Sequence, residues 1–194
     1  LGDVYKRQDL DYLLNDVDPE RKLTLRIGLA TSFHCPFEGL TPEKVVLGNI
    51  EKMLKIRTGL EFALSDTTGM ALPVKVKSLA IQAQAQFGGD ATFIFHGHDT
   101  SGFGVANILA GMEAGLRSFD VSVAGLGGCP YAPGASGNIP SEDIVYLMDR
   151  MGIETGIDLD KLLEASDIAA AIPGALEASH VRKMPRETCL LYTS

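Results

Sequence analysis

The chain has 194 residues, of which 45% are hydrophobic, and carries 17 Lys+Arg against 25 Asp+Glu for a formal net charge of −8. This is the composition of one soluble globular unit. A negative balance without a Lys/Arg block excludes a nucleic-acid or anionic-membrane partner, since phosphate binding needs clustered positive charge, and no apolar run approaches the roughly 20 residues that span a bilayer.

The two ends stand apart. Residues 1–8, with Asp3-Val-Tyr-Lys-Arg-Gln8, and residues 189–194, from Cys189 to Ser194, can be encoded by the two strands of one DNA element. They resemble a transposase end used in sequencing libraries and are read as processing scars. The folded unit is expected over residues 9–188, as part of a longer protein that continues in both directions. Within it stand two cysteines, Cys35 and Cys129. Two distant thiols suggest a reducing compartment and no disulfide framework.

Residues 9–15 read as the tail of an earlier helix, and residues 23–31 as the first strand. Thr41 is expected to cap a helix with Pro42 at its first position, where a missing N–H costs nothing, running to about Arg57 and ended by Gly59. A second unit follows: a strand over residues 61–65, the turn Asp66-Thr67-Thr68-Gly69, and a helix over about residues 73–87. The third has a strand over residues 91–96, the turn Asp99-Thr100-Ser101-Gly102, and a helix whose apolar Val105, Ile108, Leu109 and Met112 recur at helical spacing. Residues 119–124 read as a fourth strand, followed by a Gly-rich loop over residues 125–140, a helix capped by Ser141, and a last helix from Asp158. Four βα units fit either half of a (β/α)8 barrel or a doubly wound sheet, and spacing alone does not decide. No Gly-x-Gly-x-x-Gly turn follows any strand, which removes the usual reason to prefer a dinucleotide-binding sheet, and the Gly-rich loop lacks Gly-Lys-Ser/Thr, so it is not a P-loop.

His96-Gly97-His98-Asp99 is the sharpest motif. On a strand, i and i+2 share a face, so both imidazoles project together at the strand's C-terminal end, where barrel enzymes place their sites. They make half a metal site, or else two histidines of unrelated role at a loop edge. Asp99 is expected to cap the next helix. Asp66 occupies the equivalent point one unit earlier, either as a cap or on the substrate side. The loop carrying Cys129 is long and glycine-rich, as binding loops are. Cys129 is thus an acid, base or nucleophile, against the alternative of a small buried hydrophobe. Cys35 is read as structural.

The segment Ser122-Val-Ala-Gly-Leu-Gly-Gly-Cys129-Pro-Tyr-Ala-Pro-Gly-Ala-Ser-Gly-Asn138 resembles the active-site signature of the 3-hydroxy-3-methylglutaryl-CoA (HMG-CoA) lyase family. His96-Gly-His98-Asp-Thr resembles its metal motif, and Cys35-Pro-Phe-Glu-Gly and Ser65-Asp66-Thr-Thr-Gly match in the same order. The resemblance implies a metal-dependent α/β barrel that cleaves its acyl-CoA substrate to acetyl-CoA and acetoacetate, as in leucine degradation. It implies His96, His98 and Asn138 as ligands of Mg²⁺ or Mn²⁺, Cys129 as the catalytic thiol, and Asp66 near the substrate. The family's Arg-Asp pair on its first strand is absent, which makes this chain the C-terminal half of a (β/α)8 TIM barrel, four βα units plus C-terminal helices. Such a piece is expected to be inactive alone and to expose two unpaired strand edges and an apolar inner face. The full-length protein is expected to be a homo-oligomer, in the cytoplasm of a bacterium or the mitochondrial matrix of a eukaryote, with neither nucleic acid nor membrane as partner. Two other readings stand beside this one: a related aldolase or acyl-CoA lyase with another acyl chain, and a non-catalytic metal-binding polypeptide.

Overall fold

Alternating strands and helices build a parallel sheet with helices on one side. The computed structural model describes residues 22–127, 137–175 and 178–186, together with Tyr12, Asp16, Val17 and Glu20. Strand β1 (Arg26–Leu29) leads through a small antiparallel hairpin, β2 (His34–Cys35) with β3 (Gly39–Leu40), into helix α1 (Glu43–Leu54). Then follow β4 (Leu60–Asp66), α2 (Pro73–Phe87), β5 (Ala91–Gly97), α3 (Gly104–Glu113), β6 (Phe119–Asp120), α4 (Ser141–Arg150) and α5 (Leu159–Ala170). The sheet order is β1-β4-β5-β6, and every neighbouring pair is parallel.

Period-two alternation decides which face each strand residue serves. Leu60, Phe62 and Leu64 of β4 and Ala91, Phe93 and Phe95 of β5 enter one apolar cluster with Val46, Leu47 and Ile50 of α1. Val76, Leu79, Ala80 and Ala83 of α2, Ile108 of α3, and Ile144 and Met148 of α4 complete that cluster. Helices α1 to α4 therefore cover the same face of the sheet, while Leu163 of α5 is buried in a second, smaller cluster. A doubly wound sheet buries both faces under helices; a one-sided arrangement is the wall of a barrel.

The other face differs from expectation. Its alternate residues include Arg26, Glu61, His96 and Asp120. The Arg26 Nε donates to Glu61, and Arg26 Nη1 donates to Asp120 Oδ1 at 2.9 Å. That face is thus crossed by ion pairs that stand beside the buried apolar pair Ala63 and Ile94.

Three local expectations change. Pro42 is the N-cap of α1 and makes no side-chain cap bond; the residue before a proline is pushed to extended backbone, so Thr41 stands outside the helix and donates its hydroxyl to Thr31 O at 2.7 Å. Pro140 takes the same place before α4, leaving Ser141 as the first helical residue instead of a cap. The fourth strand keeps only Phe119 and Asp120, because Ala124 adopts left-handed backbone at φ 57° inside a 3-10 turn, Val123–Gly125. Asp158 does cap α5, accepting from Lys161 N at 3.1 Å. Among the described residues no helix is long and apolar enough to cross a membrane.

Candidate metal centre

His96 is on β5 and His98 lies just beyond the strand's end, with ring centroids 5.4 Å apart and planes at 62°. The glycine between them is required by packing: a Cβ on Gly97 would stand 2.5 Å from the Phe95 ring and 2.7 Å from Ile139. His98 is only 7% exposed. Burial, helped by the neighbouring His96, holds its imidazole below the ordinary histidine range. It is therefore neutral at neutral pH, the form that binds a cation.

Main-chain bonds bring Asn138 to the same place. The chain returning from the Gly-rich loop forms an antiparallel bridge between Asn138 and His98. Asp99 N donates to Gly137 O and Ile139 N to Gly97 O, both at 3.3 Å, while Ser122 N donates to Ile139 O at 3.0 Å. Residues 137–139 are thus stitched to both β5 and the chain after β6. Gly137 permits this closeness, since a Cβ there would collide with the carbonyls of Gly125 and Gly127. The Asn138 amide donates to Leu126 O at 2.8 Å, which fixes the carboxamide and leaves Oδ1 as its remaining acceptor.

Two buried polar atoms here, His98 Nδ1 and Asn138 Oδ1, have no hydrogen-bond partner among the described residues. Orphaned buried acceptors are costly and call for an explanation. Imidazole nitrogen and carboxamide oxygen are donors that Mg²⁺ or Mn²⁺ accepts, so the residues present fit a divalent ion that keeps further oxygen ligands. Among the described residues no three His, Cys, Asp or Glu side chains form a ready metal cluster. The set is two imidazoles and a carboxamide.

Asp66 is elsewhere in the layer. It pairs in register with Gly97, while Ser65 pairs with His96. Asp66 is fully buried, and its two oxygens accept from Met70 N at 3.1 Å and Ala71 N at 3.0 Å. Burial pushes its carboxyl above the usual range, opposed by these backbone bonds. It organises the turn before α2. Asp99 was expected to cap α3, but the N-cap position is Phe103; Asp99 stands before it and accepts from the first helical amide, Gly104 N, at 2.7 Å. Cys35 is a free, half-buried thiol on β2. Cys129 lies outside the described residues.

Three acidic residues escaped the sequence reading. Asp120 stands 3.5 Å from His96 Nδ1. Glu142, fully buried, accepts from Ala124 N at 3.1 Å and from the Ser166 hydroxyl at 2.5 Å. Asp143 accepts from Ser179 Oγ at 2.9 Å and Val181 N at 2.8 Å, tying the last described segment to α4. The one signal for the latter pair is an acidic doublet in a helix's first turn, which ordinarily marks a solvated, dipole-complementing end.

A parallel sheet with helices on one face, and polar side chains gathered at the strands' carboxyl ends, defines this molecule as the wall of a (β/α)8 barrel. More particularly, the chain belongs to the HMGL-like family, whose model matches residues 5–169. It is 42% identical over 152 residues to an (R)-citramalyl-CoA lyase of Chloroflexus aurantiacus, covering 78% of this chain and 47% of that protein. It is 39% identical over 170 residues to the mitochondrial hydroxymethylglutaryl-CoA lyase of Mus musculus, covering 87% and 50%. An HMG-CoA lyase of Acinetobacter baumannii, solved with coenzyme A and 3-methylmalate, superposes with a TM-score of 0.82 at 40% identity, over 94% of this chain and 60% of that one. The chain spans about half the length of the curated relatives it matches.

Proposed function

We propose that this chain is half of a divalent-metal-dependent lyase that cleaves HMG-CoA to acetyl-CoA and acetoacetate. The observation that supports this best is the backbone bridge between His98 and Asn138 at the end of β5, two residues whose buried Nδ1 and Oδ1 have no hydrogen-bond partner among the described residues. His96, His98 and Asn138 hold Mg²⁺ or Mn²⁺; the ion, when bound, supplies Lewis-acid stabilisation of charge developing on the substrate's oxygens. In the reaction the tertiary hydroxyl gives its proton to a general base, the C3–O bond becomes the carbonyl of acetoacetate, and the bond between C2 and C3 breaks. The electron pair passes to the acetyl-CoA fragment as an enolate, and Cys129 delivers the proton that quenches it at C2. Asp66 serves indirectly by fixing the turn at the end of β4, beside the strand that carries the imidazoles. The substrate enters as a CoA thioester, the class named for the relatives and present as coenzyme A in the A. baumannii structure.

A second reading has its own support in the 42% identity to a citramalyl-CoA lyase. The two acyl groups differ by one methylene, which a pocket discriminates by only about 1–3 kcal/mol. The test uses the full-length protein containing this chain, offered each thioester with Mg²⁺ or Mn²⁺. Acetoacetate release that a chelator abolishes is the expected result. Pyruvate release from citramalyl-CoA at a higher kcat/KM would transfer the assignment to the second reading, and metal-independent turnover or none would overturn both.

A further inference from the structure

The polar network on the open face of the sheet ends at a candidate ligand. Glu61 of β4 holds Arg26 of β1, and Arg26 reaches Asp120 of β6 through Nη1 at 2.9 Å. Asp120 is paired in register with His96, and its two oxygens are divided between neighbours: Oδ1 accepts from Arg26, while Oδ2 faces His96 Nδ1 at 3.5 Å. Arg26 already has Glu61 as a partner, so a second carboxylate is not needed to neutralise it. What Asp120 adds is an acceptor beside one particular ring nitrogen.

That placement has a chemical meaning for an imidazole. A neutral histidine carries one N–H, and the hydrogen bond made by one nitrogen decides which other nitrogen is left with a lone pair. Histidines that bind metals commonly donate the second N–H to a carboxylate, which sets both the tautomer and the ring orientation. Here the acceptor lies on the Nδ1 side, and an Nδ1–H donated to it would leave the lone pair on Nε2. The separation is an ion-pair distance, and about half an ångström of closure brings it into hydrogen-bond range.

We propose that Asp120 is the positioning residue of His96, accepting its Nδ1–H so that Nε2 is presented to the cation, with Arg26 and Glu61 holding Asp120 in place. This rests on the reading of His96 as a metal ligand. The inference explains why three charges from three strands meet on the inner face beneath the candidate site. It also assigns different work to the two histidines: His98 is set by burial and by its bridge to Asn138, whereas His96, a third exposed, is set by an ion-pair chain.

The experiment follows the histidine ring nitrogens of the metal-free full-length protein by long-range ¹⁵N–¹H NMR, and Mn²⁺ affinity by titration, in the wild type and in Asp120→Ala, Asp120→Asn and Arg26→Gln. The wild-type His96 should carry its proton on Nδ1. Asp120→Ala should move it towards Nε2 and weaken Mn²⁺ binding about 10–100-fold. Asp120→Asn, which keeps an acceptor oxygen and nearly the same volume, should fall between, and Arg26→Gln should loosen the tautomer with Asp120 still present. An unchanged tautomer in Asp120→Ala and Asp120→Asn overturns the proposal. So does loss of Mn²⁺ binding with the tautomer intact, since Asp120 would then be a ligand itself. A tautomer that responds to Asp120 in a wild type that binds no Mn²⁺ leaves the Asp120–His96 pairing standing and overturns the metal reading instead.

Discussion

Removing the Glu142 carboxylate tests how the entry to the Gly-rich loop is held. Glu142 is fully buried in the first turn of α4, yet its partners are neutral: the Ala124 amide at 3.1 Å and the Ser166 hydroxyl at 2.5 Å. Ala124 is in left-handed backbone at φ 57°, a conformation that costs an L-residue about 1–2 kcal/mol. The Glu142 bond helps offset that cost. Glu142→Ala leaves two buried donors without acceptors, each worth about 1–3 kcal/mol, while relieving the desolvation of the carboxylate, so a net loss of about 2–4 kcal/mol is expected. Glu142→Gln can still accept from Ala124 through its oxygen and donate to Ser166 through its NH₂, so it should lie within about 1 kcal/mol of wild type. Urea unfolding of the full-length protein, followed by far-UV circular dichroism, measures both. Combining Glu142→Ala with Ser166→Ala should be non-additive by about 1 kcal/mol, since the two residues share one bond. A Gln variant as damaged as the Ala variant would refute this account, because it would mean that charge rather than hydrogen bonding does the holding.

Three other outcomes follow from the site. Burial raises the folded-state pKa of Asp66 above the ordinary carboxylate range, so its contribution to stability is fully present below the unfolded-chain value and is lost as pH rises through the folded one. The unfolding midpoint of Asp66→Asn, relative to wild type, should therefore improve from pH 3 to pH 7; a relative decline over that range would contradict the burial argument. His98→Ala should weaken Mn²⁺ binding, measured by titration, whereas Cys129→Ser should cut turnover and leave Mn²⁺ affinity unchanged. Equal loss of Mn²⁺ binding in both would mean the roles are misassigned. Gly137→Ala drives a Cβ into the carbonyls of Gly125 and Gly127 and should cost about 1–3 kcal/mol of stability as overpacking does. It should also lower Mn²⁺ affinity, because Asn138 is the next residue; wild-type affinity in that variant would separate the ligand from the backbone clasp.

Long alternating or periodic segments were legible in the sequence. Helix α2 covers the residues 73–87 that the sequence predicts, and β4 and β5 fall on the short apolar runs read as strands. The shared face of His96 and His98 likewise needs only the period of a strand. Helix starts were misread where a proline follows or precedes a hydroxyl residue: the eye goes to Thr41 and Ser141 as caps, but the prolines take the N-cap positions, and the Thr41 hydroxyl bonds Thr31 O instead. The end of the fourth strand was lost because nothing local announces a left-handed alanine; Glu142, distant in sequence, supplies the acceptor that accompanies it. Asp120 was invisible for the same reason, since its partners come from β1 and β5. Spacing alone left the two α/β architectures open; the family resemblance chose the barrel, and the packing of α1 to α4 on one face of the sheet agrees with it.

The ionic lattice on the uncovered side of the sheet constrains whatever closes against it. A greasy wall accepts almost any greasy counterpart, whereas Arg26, Glu61 and Asp120 demand groups with the right polarity at the right height, or trapped water in their stead. A chimaera that joins this wall to the other half of a distant cousin should therefore fail through mismatched charges at the seam before it fails through poor shape.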